Sequence, residues 1–347
     1  MNKLSSRLQK AISQNILPET RRSFTFYPSS ASIKLSEPEK GKSVVGTCLR
    51  QQYYQLSGEK ASNKVSADVK LSGIIGNKLH DLAGEMLDEF GFSAQLQRVA
   101  VEHAFYIPGI NVSGRCDYIG YDHLNKEVIG IEIKTVGQWK ASQCIEEPSG
   151  AHVLQSLLYL NYYKENYPDL NINKWYIVYI SRTENYAIKG RKHGSPLEMI
   201  WDFHLTISPK DGAAIVHSHN GSRKWDDYTV SNMYDRYKLL KESLDKKSPP
   251  PRDYNVLYDE PTITTLHKKN QLTRKTDIAK VETWLRKGAV PGKLNLKIGD
   301  MECNYCPFGA TCWPGIIENS KEEQLLNLKL NSSTSSSNDK VSKDNWF

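Results

Sequence analysis

Three residues near the first third of the chain, Asp117, Glu132 and Lys134, have the types and spacing for chemistry. Gly114-Arg115-Cys116-Asp117 is followed, after fourteen residues, by Glu132-Ile133-Lys134. Residues 112–121 and 127–136 read as two strands of a hairpin joined by a polar turn over 122–126. Side chains alternate across a strand, so Glu132 and Lys134 share one face while Ile131, Ile133 and Thr135 share the other. A carboxylate and an ammonium on one face of a Val/Ile-rich strand are costly if buried without partners. One reading makes Asp117 and Glu132 ligands of a divalent cation, with Lys134 beside a reacting phosphate. The other makes the pair an exposed edge facing water.

A second set is made of thiols. The chain has six cysteines, Cys48, Cys116, Cys144, Cys303, Cys306 and Cys312. No export signal is visible in residues 1–18, so a metal or cluster site is expected rather than a disulfide framework. Cys303-x2-Cys306-x5-Cys312 puts three thiolates in one loop, kept non-helical by Pro307, Gly309, Pro314 and Gly315. Cys48 is the expected fourth ligand, because Cys116 abuts Asp117 and Cys144 lies in another loop. Such a site would join residue 48 to the region near 310. Iron–sulfur and zinc both accept four sulfurs.

Elements must position these residues. Residues 2–17 read as a short helix, and 18–41 as an arm whose Arg21, Arg22, Phe24, Phe26 and Tyr27 either grip a single strand by stacking and charge or, the favoured reading, dock on their own domain. Helices are expected over 44–56 and 68–90, the second with a stripe of Leu71, Ile74, Ile75, Leu79, Leu82, Ala83, Met86 and Leu87, and with His80 off its centre. A strand over 95–106 precedes the hairpin, and a loop over 138–150 follows it. A helix over 151–165 carries His152, Gln155 and Tyr159 on one face. Strands over 174–181 and 197–207 follow, then a helix over 223–247 stopped by Pro249-Pro250-Pro251. This order predicts a mixed α/β domain.

The 347 residues, 39% of them hydrophobic, suffice for one large domain, and no apolar run could span a membrane. The net charge of +7 leans towards a polyanionic partner. Residues 261–299 hold nine Lys or Arg against two acids, a basic insertion containing a helix over 276–287 with Trp284 on its apolar side. That insertion either faces a nucleic-acid backbone or is simply solvated. From 327 onward the composition predicts a disordered tail, whose last residues could dock a protein partner.

Taken in order, Cys48-Leu49-Arg50-x2-Tyr53-Tyr54, His80, Gly114-x2-Asp117, Glu132-x-Lys134, Gln155-x3-Tyr159 and Cys303-x2-Cys306-x5-Cys312 resemble the PD-(D/E)xK nuclease superfamily. The similarity is to its RecB-like branch with an iron–sulfur cluster, which includes CRISPR-associated adaptation exonucleases, the AddB nuclease domain and exonuclease V. It covers roughly residues 44–316. Leu49 stands where these families often have proline.

The resemblance implies a restriction-endonuclease-like core, a mixed central sheet flanked by helices. An iron–sulfur staple would join its N- and C-terminal parts. With the arm and tail read from composition, the expected organisation is a basic arm over 1–43, a nuclease domain over 44–325 and a tail over 326–347. His80, Asp117 and Glu132 would ligate Mg²⁺ or Mn²⁺, helped by the Ile133 carbonyl. Lys134 would activate water, and Gln155 and Tyr159 would position DNA and Lys134. Cys48, Cys303, Cys306 and Cys312 would hold a [4Fe–4S] cluster. The expected activity is metal-dependent DNA hydrolysis, by an exonuclease on single-stranded ends with a 5′→3′ lean. It would act inside a bacterial or phage-infected cell in recombination, repair or spacer acquisition. The alternatives are a nucleic-acid-binding protein with a zinc staple, or the nuclease subunit of a helicase–nuclease complex.

Overall fold

The computed structural model describes residues 25–39, 42–63, 67–90, 95–182, 199–272, 274–287 and 298–316. Residues 2–17, read as a helix, and the tail from 327 lie outside these.

Seven strands form one sheet in sequential order: β3 (Leu96–Ile107), β4 (Val112–Asp122), β5 (Glu127–Val136), β6 (Lys174–Ser181), β7 (Ile200–Ile207), β8 (Ala213–Ser218) and β9 (Gly221–Thr229). Every neighbouring pair is antiparallel except β5 and β6, which run parallel. A parallel pair needs a crossover. Here it is supplied by α3 (Gln138–Cys144) and α4 (Gly150–Asn166). The helices α1 (Leu49–Leu56), α2 (Ala67–Phe90) and α5 (Val230–Asp245) complete the layers, and β1 (Ser32–Glu39) pairs with β2 (Lys42–Gly46) beside them. The architecture is thus mixed α/β, with a mostly antiparallel central sheet flanked by helices.

Both faces of the sheet centre are apolar. Trp175, Ile177 and Tyr179 of β6 point into the larger core with Leu154, Leu157, Leu158 and Tyr163 of α4. Tyr176, Val178 and Ile180 point the other way, where Ala83 of α2 meets Tyr118, Ile129, Ile131 and Ile133. Strands covered on both sides read as continuous apolar runs, as β6 does. Gly130 lies opposite Trp175 in the β5–β6 register, and a Cβ there would sit 2.2 Å from the indole. That small residue lets Trp175 lie across β5 and support Tyr159 and Tyr163 of α4, with ring centroids 5.4 and 5.6 Å away.

Several elements differ from the expectations. Residues 44–46 belong to β2, so the expected helix begins only at Leu49. Val44 and Val45 pair with Lys34 and Ile33, which suits β-branched residues. Residues 223–229 form β9 rather than helix, and Thr229 caps α5 by accepting from the Asn232 amide. The loop expected over 138–150 contains α3, which buries Ala141 and Cys144. The cysteine loop holds two single-turn helices, α8 (Met301–Asn304) and α9 (Gly309–Cys312). The basic segment forms α6 (Glu260–Lys268) and α7 (Lys275–Arg286), packed through Ile263, Leu272, Val281 and Ile298.

Part of the arm is integral to the core. Phe26 is 2% exposed, stacks on Tyr237 of α5 at 5.6 Å, and bridges to Val112. On α2 the expected stripe is only partly used. Ala83 is buried, whereas Leu71, Ile74, Ile75, Leu82 and Met86 are 40–49% exposed.

Candidate metal centre and cysteine pocket

The site forms where two strands part. The β4–β5 ladder runs from Asp122↔Glu127 to Tyr118↔Ile131 and stops there. Beyond it, the Ile133 amide donates to Asp117 Oδ2 at 2.6 Å instead of to the neighbouring strand. The alternation of β4 also breaks at this point. Cys116 packs in the core on the α4 side and Tyr118 on the α2 side, although residues two apart share a face in a regular strand. The pairs Val101↔Tyr118 and His103↔Cys116 bracket Asp117 and Glu102. Glu102 takes a left-handed φ of 48°, a conformation that costs a non-glycine residue energy. This irregularity brings the Asp117 carboxylate to the α2 side of the fork.

There His80 of α2 meets it, Nε2 to Oδ2 at 3.0 Å. The hydrogen bond to Asp117 raises the His80 pKa, against an opposing pull from burial. His80, Glu102 and Asp117 each present one ligand atom within 4.8 Å of the others. Glu102 had no sequence signal of its own, because its place depends on the register of β3 against β4.

Glu132 lies 2% exposed on the α4 side of the fork. Its Oε1 accepts from Lys134 Nζ at 2.5 Å and from Gln155 Nε2 at 2.7 Å. Its Oε2 is buried and has no hydrogen-bond partner among the described residues. Burial pushes this carboxyl well above the ordinary carboxylate range, with the Lys134 ammonium pulling the other way. Gln155 is the hinge of the network. Its Oε1 accepts from Lys134 Nζ at 2.9 Å, and its Nε2 also donates to the Tyr159 hydroxyl at 2.9 Å. Tyr159 in turn donates to the Arg115 carbonyl at 2.8 Å. One turn of α4 therefore holds Arg115 of β4 and Glu132 and Lys134 of β5 in fixed relation.

A buried carboxylate oxygen with nothing to accept from is expensive. A hard divalent cation would satisfy it, and the donor set of carboxylates plus one imidazole suits Mg²⁺ or Mn²⁺. Of the expected ligand set, His80 and Asp117 meet on the α2 side together with Glu102, the Ile133 amide binds Asp117, and Glu132 lies on the α4 side of the same fork with Lys134 and Gln155, outside that group. The exposed-edge alternative does not describe Glu132.

The second pocket is lined by Cys48, Cys303, Cys306 and Cys312 together, with Arg50, Arg252 and Trp313 around them. Cys48 sits at the N-cap of α1. Burial pushes the Cys48 and Cys303 thiols up to about 12. Arg50 Nη1 lies 3.8 Å from Cys312 Sγ and its Nε donates to the Pro250 carbonyl at 2.6 Å. Arg252 Nη2 donates to the Cys312 carbonyl at 2.8 Å, with its guanidinium 3.9 Å over the Trp313 ring. Below the pocket Arg236 grips Asp253 through two bonds of 2.9 and 2.6 Å, while Asp253 Oδ2 also accepts from the Leu49 amide at 2.7 Å. Cys48, Cys303, Cys306 and Cys312 thus line one pocket. Cys116 and Cys144 lie in the main core instead.

Among the described residues no helix is long and apolar enough to cross a membrane. Neither a protein-family model nor a curated protein sequence matches the chain. Among solved structures, the chain is similar to one described as the crystal structure of SSO0001. The two are 16% identical with a TM-score of 0.33, over 91% of this chain and 99% of that one.

Proposed function

We propose that the protein is a metal-dependent DNA nuclease of the PD-(D/E)xK type, with the fork between β4 and β5 as its active site. The observation that carries this reading is the buried Glu132, 2% exposed and hydrogen-bonded through Oε1 to Lys134 and Gln155, with no partner for Oε2 among the described residues. The element order α2, β3, β4, β5, α3, α4, β6 supports a restriction-endonuclease-like core, and the sequence resemblance points the same way.

His80, Asp117 and Glu132 would hold the cation, and Glu102 is placed to join them. When bound, a divalent cation lowers the pKa of water and offsets charge on a phosphate. Lys134 is held by Glu132 and Gln155 with its ammonium at the fork, placed to orient water and to stabilise negative charge on a phosphoryl oxygen. Gln155 fixes the rotamer of Lys134, and Tyr159 ties that helix turn to β4. Arrangements this rigid act by positioning.

Cys48, Cys303, Cys306 and Cys312 would hold a [4Fe–4S] cluster that staples α1 to the C-terminal turns. Four sulfurs on one pocket, with two guanidinium groups beside them, fit a thiolate-ligated cluster of net negative charge. Zinc is the competing occupant. The substrate would be DNA, with single-stranded ends preferred and a 5′→3′ lean, in recombination, repair or spacer acquisition inside the cell. Action as one subunit of a helicase–nuclease complex is compatible with all of this.

The test is degradation of end-labelled single- and double-stranded DNA under Mg²⁺ or Mn²⁺ titration. Cleavage that persists in a chelator would contradict the proposed centre. An anaerobic preparation should be brown; a colourless one containing zinc would reassign the cysteines.

A further inference from the structure

One large aromatic shortly after Lys134 in the chain is left largely exposed. Trp139 is 72% exposed in the first turn of α3, five residues beyond Lys134. The turn that carries it is anchored. The Ala141 amide donates to the Gly137 carbonyl at 2.9 Å, Ser142 Oγ donates to the Trp139 carbonyl at 2.7 Å, and Ala141 and Cys144 are buried. The indole is therefore presented on a fixed backbone, which lowers the ordering cost of binding anything on its face.

Its neighbours are cationic or hydrogen-bonding. Lys140 follows it directly, with Nζ donating to Ser149 Oγ at 3.2 Å. His152 lies one helical turn before Gln155, with Nδ1 2.8 Å from the Tyr179 hydroxyl. Tyr179 pairs with Lys134 across the β5–β6 register. Burial first, then the charges of Lys134 and Lys140, lower the His152 pKa to about 3, so both ammonium groups act on one imidazole. Lys134 and Lys140 thus flank the partly buried, uncharged His152, one at the fork and one next to Trp139 in the chain. Two ammonium groups and an exposed aromatic on a rigid turn suit a strand with a charged backbone and free bases.

We propose that Trp139 is a stacking platform for an unpaired base of the substrate strand, with Lys140 holding an adjoining phosphate, so that the site takes single-stranded nucleic acid in preference to duplex. This deepens the nuclease reading and rests on it. An unpaired base offers its π-face to an indole; in a duplex both faces of an internal base are covered by its neighbours.

The test uses the full chain and labelled oligonucleotides in chelator, read by fluorescence anisotropy. W139A is expected to weaken binding of a single strand about 5- to 150-fold, the range for one stacked base. Duplex binding should change less than about twofold, and W139F should fall between. An oligonucleotide with an abasic site at the stacked position should lose the same factor against the parent and nothing further against W139A. Equal binding of the single strand by parent and W139A overturns the platform, as does an equal loss for single strand and duplex. Failure of the parent to bind single strands overturns it too. The exposed position makes misfolding of W139A a minor risk, and W139F keeps an aromatic ring there. Metal-dependent cleavage by the parent, measured separately, decides the nuclease reading. A parent that cleaves while W139A binds normally loses only the platform.

Discussion

Asp117 has two tasks at the fork, and two substitutions separate them. Its Oδ2 accepts the Ile133 amide at 2.6 Å and faces His80 Nε2 at 3.0 Å, with the side chain 12% exposed. Asp117→Ala leaves that amide without its acceptor, at about 1–3 kcal/mol. The bond to His80 is lost as well, but that imidazole is 28% exposed, so its loss adds only about 1 kcal/mol. The expected destabilisation is about 2–4 kcal/mol. Asp117→Asn keeps an oxygen for the Ile133 amide and should stay within about 1 kcal/mol of the parent. For metal binding the order collapses, because both variants lack the carboxylate. Each should lose at least about a hundredfold in cleavage, beyond the effect of residues that merely support a ligand. Each should also lose the stabilisation that saturating Mg²⁺ or Mn²⁺ gives the parent, about 2.7 kcal/mol at a hundredfold excess over Kd. Urea denaturation with and without metal, beside cleavage of labelled DNA, measures both quantities. Asp117→Asn cleaving at the parental rate would refute the metal assignment. Asp117→Ala as stable as Asp117→Asn would refute the structural role.

Three further outcomes follow from other contacts. Asp253→Ala strips the partner from Arg236, whose side chain is 10% exposed, and should cost about 3–5 kcal/mol in urea denaturation; a loss below about 1 kcal/mol would show the pair to be dispensable. Because Asp253 also holds the Leu49 amide, the same variant should lower iron content. Cys303→Ser should remove visible absorption and iron together in an anaerobic preparation, and unchanged iron would remove Cys303 from the ligand set. Gly130→Ala pushes a methyl into Trp175 and should cost about 1–3 kcal/mol by thermal or chemical unfolding, whereas a neutral result would mean the indole moves aside freely.

The sequence revealed most where side-chain period and burial agree. The strand over 127–136, the long helix with His80 and the helix with Gln155 and Tyr159 were all legible, because each spans enough residues for its period to show. Shorter or tertiary-dependent elements were not. A helix of seven residues such as α3 is marginal on its own and forms here by burying Ala141 and Cys144. The polar β9 reads as a helix surface, because an edge strand carries charges that discourage further pairing; Lys224 meets Asp211 and Asp226 there. Within the site, the types and order of Asp117, Glu132 and Lys134 were visible, but their convergence was not. That convergence depends on the ladder ending at Tyr118↔Ile131 and on the irregularity opposite Glu102, both products of register. Glu102 itself was missed for the same reason. The exposure of Trp139 likewise depends on which way α3 turns.

The central claim is that Lys134 and the carboxylates at the fork hydrolyse DNA with a divalent cation. It is tested most directly by comparing the parent with Lys134→Ala on end-labelled single-stranded DNA across a Mg²⁺ or Mn²⁺ titration. The parent should degrade the strand only with metal present, and Lys134→Ala should be slower by at least about a hundredfold, the loss typical of removing one preorganised electrostatic donor. Degradation by Lys134→Ala as fast as by the parent would contradict the account.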